Sequence, residues 1–140
     1  MVDELWDVYA GALIECTVGG VVRSLRGPEA EPLPADAPLF VMTAFNPQGV
    51  ERDEATNDAD EAALEHDLAA AGLAYWQANG RSPDDSWSEP GVAVAGLDRG
   101  QACGYGERYG QLAIYELTDD EVHVVRCVDA EIIRSAARKK

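Results

Sequence analysis

Seven side chains in this 140-residue chain are of the kinds that hold small molecules. They are Thr43 and Asn46 near one another, Asn57 eleven residues on, Arg81, Trp87 and Glu89 within one polar stretch, and Gln111. Arg81 carries a planar fork that suits an anionic group. Trp87 offers a ring for stacking. Glu89, with Asp85 beside it, could give or take a proton, although any acidic loop offers such a pair. Thr43, the two asparagines and Gln111 supply short, directional hydrogen bonds. Each also has a plain structural use. Asn46 precedes Pro47 and suits a turn. Asn57 suits a helix cap, Arg81 an ion pair with Asp85 or Glu89, and Trp87 a loop anchor. Gln111 could satisfy a sheet edge.

Other chemistries are absent from the sequence. No Walker lysine is present, because Lys139 and Lys140 are the only lysines. Gly104-x-Gly106-x-x-x-Gly110 closes a predicted helix instead of opening one after a strand, so it is no dinucleotide fingerprint. His66 and His123 lack a spaced histidine or cysteine partner, so no metal site is expected. No cofactor is expected either. The cysteines, Cys16, Cys103 and Cys127, are odd in number and lie among apolar neighbours, which reads as three reduced, buried thiols.

The elements that must position these groups follow from periodicity. Asp3–Ala10 reads as a helix with Leu5, Val8, Tyr9 and Ala12 on one stripe. Ala12–Val18 alternates as a strand, Gly19-Gly20 turns, and Val21–Leu25 returns. Residues 27–38 carry four prolines and read as a surface loop. Leu39–Phe45 is an apolar central strand that stops at Asn46-Pro47, with Gln48-Gly49 continuing the turn. Asn57–Ala71 is a helix ended by Gly72, and its wheel puts Asn57 in line with Leu64 and Leu68, facing the end of the central strand. Leu73–Gln77 is a short strand. Asn79–Pro90 reads as an ordered loop without regular structure, with Arg81 near Glu89 or near a shared ligand. Val92–Leu97 is a strand. Asp98 caps a helix running to about Tyr109, with Ala102, Tyr105 and Tyr109 on its buried side. Leu112–Leu117 and Glu121–Val128 form a hairpin, and Asp129–Lys140 reads as a short helix with a basic tail. This order predicts an α+β fold of one domain over residues 1–140: a mainly antiparallel sheet with helices packed on one face.

Composition narrows the partners. The net charge of −15 repels phosphate backbones and anionic lipid, so neither nucleic acid nor membrane is expected as a partner. No run approaches the ~18 apolar residues of a spanning helix, and Asp3 and Glu4 stand where a signal peptide would carry basic residues. The cytoplasm is the expected location.

Four motifs occur in order: Phe40-Val41-Met42-Thr43-Ala44-Phe45-Asn46-Pro47; Asn57 opening a helix with Leu64 and Leu68; Gly80-Arg81-Ser82-Pro83-Asp84-Asp85-Ser86-Trp87-Ser88-Glu89-Pro90-Gly91; and Arg108-Tyr109-Gly110-Gln111. Together, from about Leu39 to Tyr115, they resemble the bacterial family of uncharacterised proteins called domain of unknown function 3293. The resemblance implies that these motifs belong to one unit and implies no activity. Two functional readings stand. In the first, Thr43, Asn46, Asn57, Arg81, Trp87, Glu89 and Gln111 line a polar pocket at strand and helix ends for a small anionic or aromatic ligand, with or without catalysis. In the second, the acidic surface serves a protein-interaction or regulatory module that meets a basic protein partner and does no chemistry.

Overall fold

Eight strands join edge to edge in one sheet, every adjacent pair antiparallel, in the order β2-β1-β4-β5-β3-β6-β7-β8. The computed structural model describes residues 2–46 and 50–140. The strands are β1 (Leu13–Val18), β2 (Val21–Arg26), β3 (Leu39–Met42), β4 (Tyr75–Arg81), β5 (Ser88–Val94), β6 (Ala113–Leu117), β7 (Glu121–Arg126) and β8 (Glu131–Ala137). The helices are α1 (Val2–Ala10), α2 (Glu54–Ala70) and α3 (Arg99–Arg108). The α+β class and the antiparallel sheet are as the sequence predicts. The turn expected at Pro47-Gln48-Gly49 lies outside the described residues.

Alternation along the central strands feeds two apolar cores. Phe40, Met42, Val92, Val94 and Ile114 point to one face, where they meet Leu64 and Leu68 of α2 and Ala102 and Cys103 of α3. Leu39, Val41, Ala93 and Leu117 point to the other, where they meet Ile14, Cys16 and Leu25 from the far edge and Val122. Leu25 of β2 and Val122 of β7 have five strands between them in the sheet order, so they share a core because the sheet curls on itself. Helices α2 and α3 both contribute to the first core. Helix α1 instead packs against β7 and β8, and its Tyr9 ring meets Tyr115, which packs on the concave-side core.

Two buried arginines hold the curl. Arg138 donates to the carbonyls of Leu25 (2.8 Å), Glu31 (2.9 Å) and Asp119 (2.8 and 3.0 Å). Arg26 donates to Ala12 (2.7 Å) and Ala137 (3.3 Å). The Gly27 amide adds a backbone bond to the Arg138 carbonyl at 2.8 Å. The edge strands β2 and β8 are thereby tied together at one end, which satisfies part of the backbone that open edges leave unpaired. Burial lowers the pKa of both guanidiniums from the usual arginine value, but a fork of fixed donors aimed at carbonyls compensates for lost water.

Several boundaries differ from the sequence reading, and each for a local reason. The stretch Asn79–Pro90 is mostly a β-hairpin: β4 runs to Arg81, β5 starts at Ser88, and only residues 82–87 turn. The turn is closed by Ser82, whose amide donates to the Trp87 carbonyl (3.0 Å) while its Oγ accepts from the Trp87 amide (3.1 Å). Asp85 takes the left-handed conformation the turn needs, with φ 59°. The expected C-terminal helix is instead β8, paired along β7 from Glu131 to Ala137. Pairing at a sheet edge outweighs the helix preference of Ser135-Ala136-Ala137. Helix α2 begins earlier than expected, since Asp53 caps it by accepting from the Thr56 amide at 2.7 Å. In α1 the deeply buried residue is Trp6, whereas Val8 is exposed. Asp98 caps α3 in a capping box with Gln101, and Gly110 ends it with φ 72°.

Candidate functional site

The curl leaves a recess on the concave face of the sheet. Its wall includes Tyr9 of α1, Val41 and Thr43 at the end of β3, Trp87 and Glu89 of the hairpin, and Tyr115 of β6, with Gln111 at its margin. Register explains who faces it. Glu89 stands opposite Gly80, and Gly91 opposite Ala78, on the same side as Ala93. Small residues on β4 and β5 leave the space: Gly80 lies below the Trp87 ring, where a Cβ would come 3.9 Å from Trp87 Cζ3. Gly91 is needed for a different reason. A Cβ there would stand 2.4 Å from the Met42 carbonyl oxygen, so only glycine lets β5 approach the end of β3.

Thr43, Trp87, Glu89 and Gln111 therefore converge, as neighbours in space from three separate stretches. Asn46 and Asn57 meet each other just beyond. The Asn46 amide donates to Asn57 Oδ1 at 3.0 Å, and Asn57 Nδ2 donates to Asn46 Oδ1 at 2.9 Å. The Arg52 amide also reaches Asn46 Oδ1, at 3.0 Å. Asn46 adopts φ 45°, a conformation asparagine tolerates better than most residues. Together the pair forms a clasp between the strand end and α2, and neither residue lines the recess. Gln111 ties the same corner, donating from Nε2 to the Phe45 carbonyl at 2.9 Å.

Arg81 goes elsewhere. It pairs in register with Ser88, so its side chain lies on the opposite side of the hairpin from Glu89. Its Nη1 binds Asp85 Oδ1 at 2.9 Å. The expected contact of Arg81 with Glu89 is thus absent, because adjacent positions of a strand face apart. Among the described residues no arginine, lysine or histidine lines the recess.

What remains inside is an acid among rings. Glu89 is half-buried, and burial alone pushes its pKa up to about 7. Among the described residues no hydrogen bond or ion pair reaches its carboxyl. The Tyr115 hydroxyl is buried with no hydrogen-bond partner, and burial, then Tyr9 and Glu89, raise its pKa. Tyr9 is raised by burial and then by Glu89. The Tyr9 and Tyr115 rings meet edge to face, centroids 6.3 Å apart. A carboxyl that titrates at about 7 can bind a ligand cation or exchange a proton at neutral pH.

A second acid stands behind Thr43. Glu61 of α2 is buried, and its Oε2 accepts from the Ala44 amide at 2.8 Å and lies 3.2 Å from Thr43 Oγ1. Thr43 Oγ1 is also 2.7 Å from the Pro90 carbonyl, so its single proton serves one of the two. Glu61 Oε1 has no partner. Burial outweighs the two hydrogen bonds and pushes the Glu61 pKa up to about 7, with Glu65 and Glu89 adding to the rise.

Tyr9, Tyr115 and Glu61 are site residues that sequence reasoning misses. Glu61 has a signal: it is four residues after Asn57 and three before Leu64, so the wheel that turns Asn57 inward turns Glu61 inward too. Tyr115 also has one, since alternation in β6 groups it with Leu117. Tyr9 has none, because the curl that brings α1 over the sheet is not written in any local pattern.

Among the described residues no three His, Cys, Asp or Glu side chains are grouped to hold a metal ion, and no helix is long and apolar enough to cross a membrane. Cys16, Cys103 and Cys127 are free and buried. No curated protein and no solved structure matches the chain. One family model does, over residues 42–114, just over half of the length. The matched segment runs from the end of β3 through α2, the hairpin and α3 into β6, and so contains Thr43, Asn57, Glu61, Trp87, Glu89 and Gln111. The chain belongs to the family described as protein of unknown function (DUF3293).

Proposed function

We propose that this chain is a small-ligand-binding domain whose ligand sits in the recess between Tyr9, Trp87, Glu89 and Tyr115. One observation carries the reading: the Tyr115 hydroxyl is buried without a hydrogen-bond partner in the same recess that the half-buried Glu89 lines. An unsatisfied buried polar group costs about 1–3 kcal/mol, and uncompensated groups of this kind gather at functional sites. The recess has a volume of about 60 Å³. That is less than the ~150 Å³ of an apolar cavity that takes up benzene. A polar headgroup fits inside, and the rest of a ligand lies at the mouth beside Trp87. The three free thiols suit a reducing compartment, and we place the domain in the cytoplasm.

A thermal-shift screen against amines, amino acids, nucleotides and sugar phosphates tests the reading. A ligand at about 100 times its Kd adds ~2.7 kcal/mol to native stability. The expected outcome is a rise in Tm with one class that disappears in Trp87→Ala. A chain whose Tm responds to no class, or responds equally in Trp87→Ala, contradicts the proposal.

A further inference from the structure

We infer that the recess selects a protonated primary amine on a short apolar stem, with Glu89 as its counter-ion and the rings of Tyr9, Trp87 and Tyr115 around the ammonium group. The inference rests on the small-ligand reading above and names its chemical class.

Four observations bear on it. Among the described residues the ionisable groups on the wall are Glu89, Tyr9 and Tyr115, none of them positively charged. An anion entering there would meet Glu89, and Arg26, the cation whose charge reaches Tyr115, is not on the wall and is held by the carbonyls of Ala12 and Ala137. Arg81, the nearest cation in the hairpin sequence, is held by Asp85 on the other side of the strands. Three aromatic residues line the same space, and ring faces attract ammonium groups, more strongly where water is excluded. Lastly, the Tyr115 hydroxyl lacks a partner. A primary ammonium has three N–H donors, enough for the Glu89 carboxylate and the Tyr115 oxygen together. A quaternary ammonium has none and would leave Tyr115 as it is. The net charge of −15 also draws cations toward the surface.

Proton linkage gives the inference a second readout. The groups that act on Glu89 or feel its charge are Tyr9 from α1, Glu61 from α2 and Tyr115 from β6. None is cationic at neutral pH, and Glu89 titrates at about 7. An ammonium ligand binds the ionised carboxylate, so its affinity is highest above pH 7 and falls as Glu89 protonates. At one pH unit below the titration point the loss is about tenfold.

The test uses three probes of similar size: 2-phenylethylamine, 2-phenylethanol and 3-phenylpropanoate. Each is titrated into the full chain while the Trp87 indole signal is followed by NMR, at pH 6 and pH 8. The expected result is binding of the amine at least tenfold tighter than the alcohol at pH 8, with the anion silent. Affinity for the amine should drop about tenfold at pH 6, and Glu89→Gln should erase both the preference and the pH dependence. Glu65→Gln, which changes an acid of α2 bonded to Gln77 on the opposite face of the sheet, should keep both. If the alcohol or the anion binds as tightly as the amine, the amine class is wrong while the pocket reading survives. If no probe shifts Trp87 at about 10 mM, beyond the weakest affinities worth calling specific, both are wrong.

Discussion

Glu61 shows how a single buried acid shapes the behaviour of the fold. It anchors the end of β3 through the Ala44 amide and Thr43, yet one of its oxygens has no partner. Its pKa of about 7 in the native state stands above the 4.5 of an unperturbed glutamate. The native state therefore holds a proton that the unfolded chain has lost. This stabilisation is complete below about pH 4.5 and disappears as pH rises through 7. Urea denaturation should show stability falling across that window. In Glu61→Gln, which cannot ionise, the fall should be smaller by on the order of 2–3 kcal/mol. Equal slopes in both proteins would mean that Glu61 is not held neutral. Asn57, one turn before Glu61, fills its place differently, with both amide atoms bonded to Asn46.

Among the elements, α3 is the one whose sequence argues against its structure. Gly100, Gly104 and Gly106 weaken it, yet it forms, because the Asp98 capping box and its packing on β6 supply what propensity lacks. The glycines are not equivalent. A Cβ at Gly104 would touch nothing within 4 Å, whereas one at Gly106 would stand 2.6 Å from Cys127 Sγ and 3.1 Å from Ile114 Cγ2. Gly104→Ala should raise stability by about 0.5–1 kcal/mol, the usual gain in a helix interior. Gly106→Ala should lower it by about 1–3 kcal/mol through overpacking. Thermal melts of the two variants check this, and a gain in both would show that α3 does not sit closely on β6 and β7. The same logic explains what could be read in advance. Central elements were legible where apolar residues repeat, as in Leu39–Met42, Leu64 with Leu68, and Val92–Val94. The hairpin was hidden because the concave-side positions of its strands, Ala78, Gly80, Glu89 and Gly91, are small or polar so as to leave the recess open. Strand β8 was hidden because it ends in Ser135-Ala136-Ala137, which suits a helix as well, and because its place at the sheet edge is set only by pairing with β7. The grouping of Thr43, Trp87, Glu89 and Gln111 follows from strand ends that adjoin. The misplacement of Arg81 follows from reading β4 as a loop, where alternation has no meaning.

At the scale of the whole molecule, the curl makes the recess, and buried arginines hold the curl. Arg138 binds the carbonyls of Leu25, Glu31 and Asp119 at once. Arg138→Met keeps much of the apolar stem but strands those acceptors, each at about 1–3 kcal/mol. The expected loss is about 3 kcal/mol or more by denaturant titration, and a loss under about 1 kcal/mol, the surface range, would show that the sheet edges do not depend on it.

If Glu89 is held in the recess for a ligand, the free protein bears its charge alone. Among the described residues no ion pair or hydrogen bond neutralises it, so its charge should cost native stability. The native pKa of about 7, above the ordinary 4.5, has the same sign: the cost is absent below about pH 4.5 and complete above 7. The most direct measurement is the unfolding free energy of wild type and Glu89→Gln, without ligand, at pH 8 and at pH 4. Glu89→Gln should be more stable at pH 8 by about 1 kcal/mol, less than the full shift implies because the group is partly open to water, and the gain should vanish at pH 4. A Glu89→Gln protein less stable than wild type at pH 8 would make Glu89 a structural residue and contradict the account.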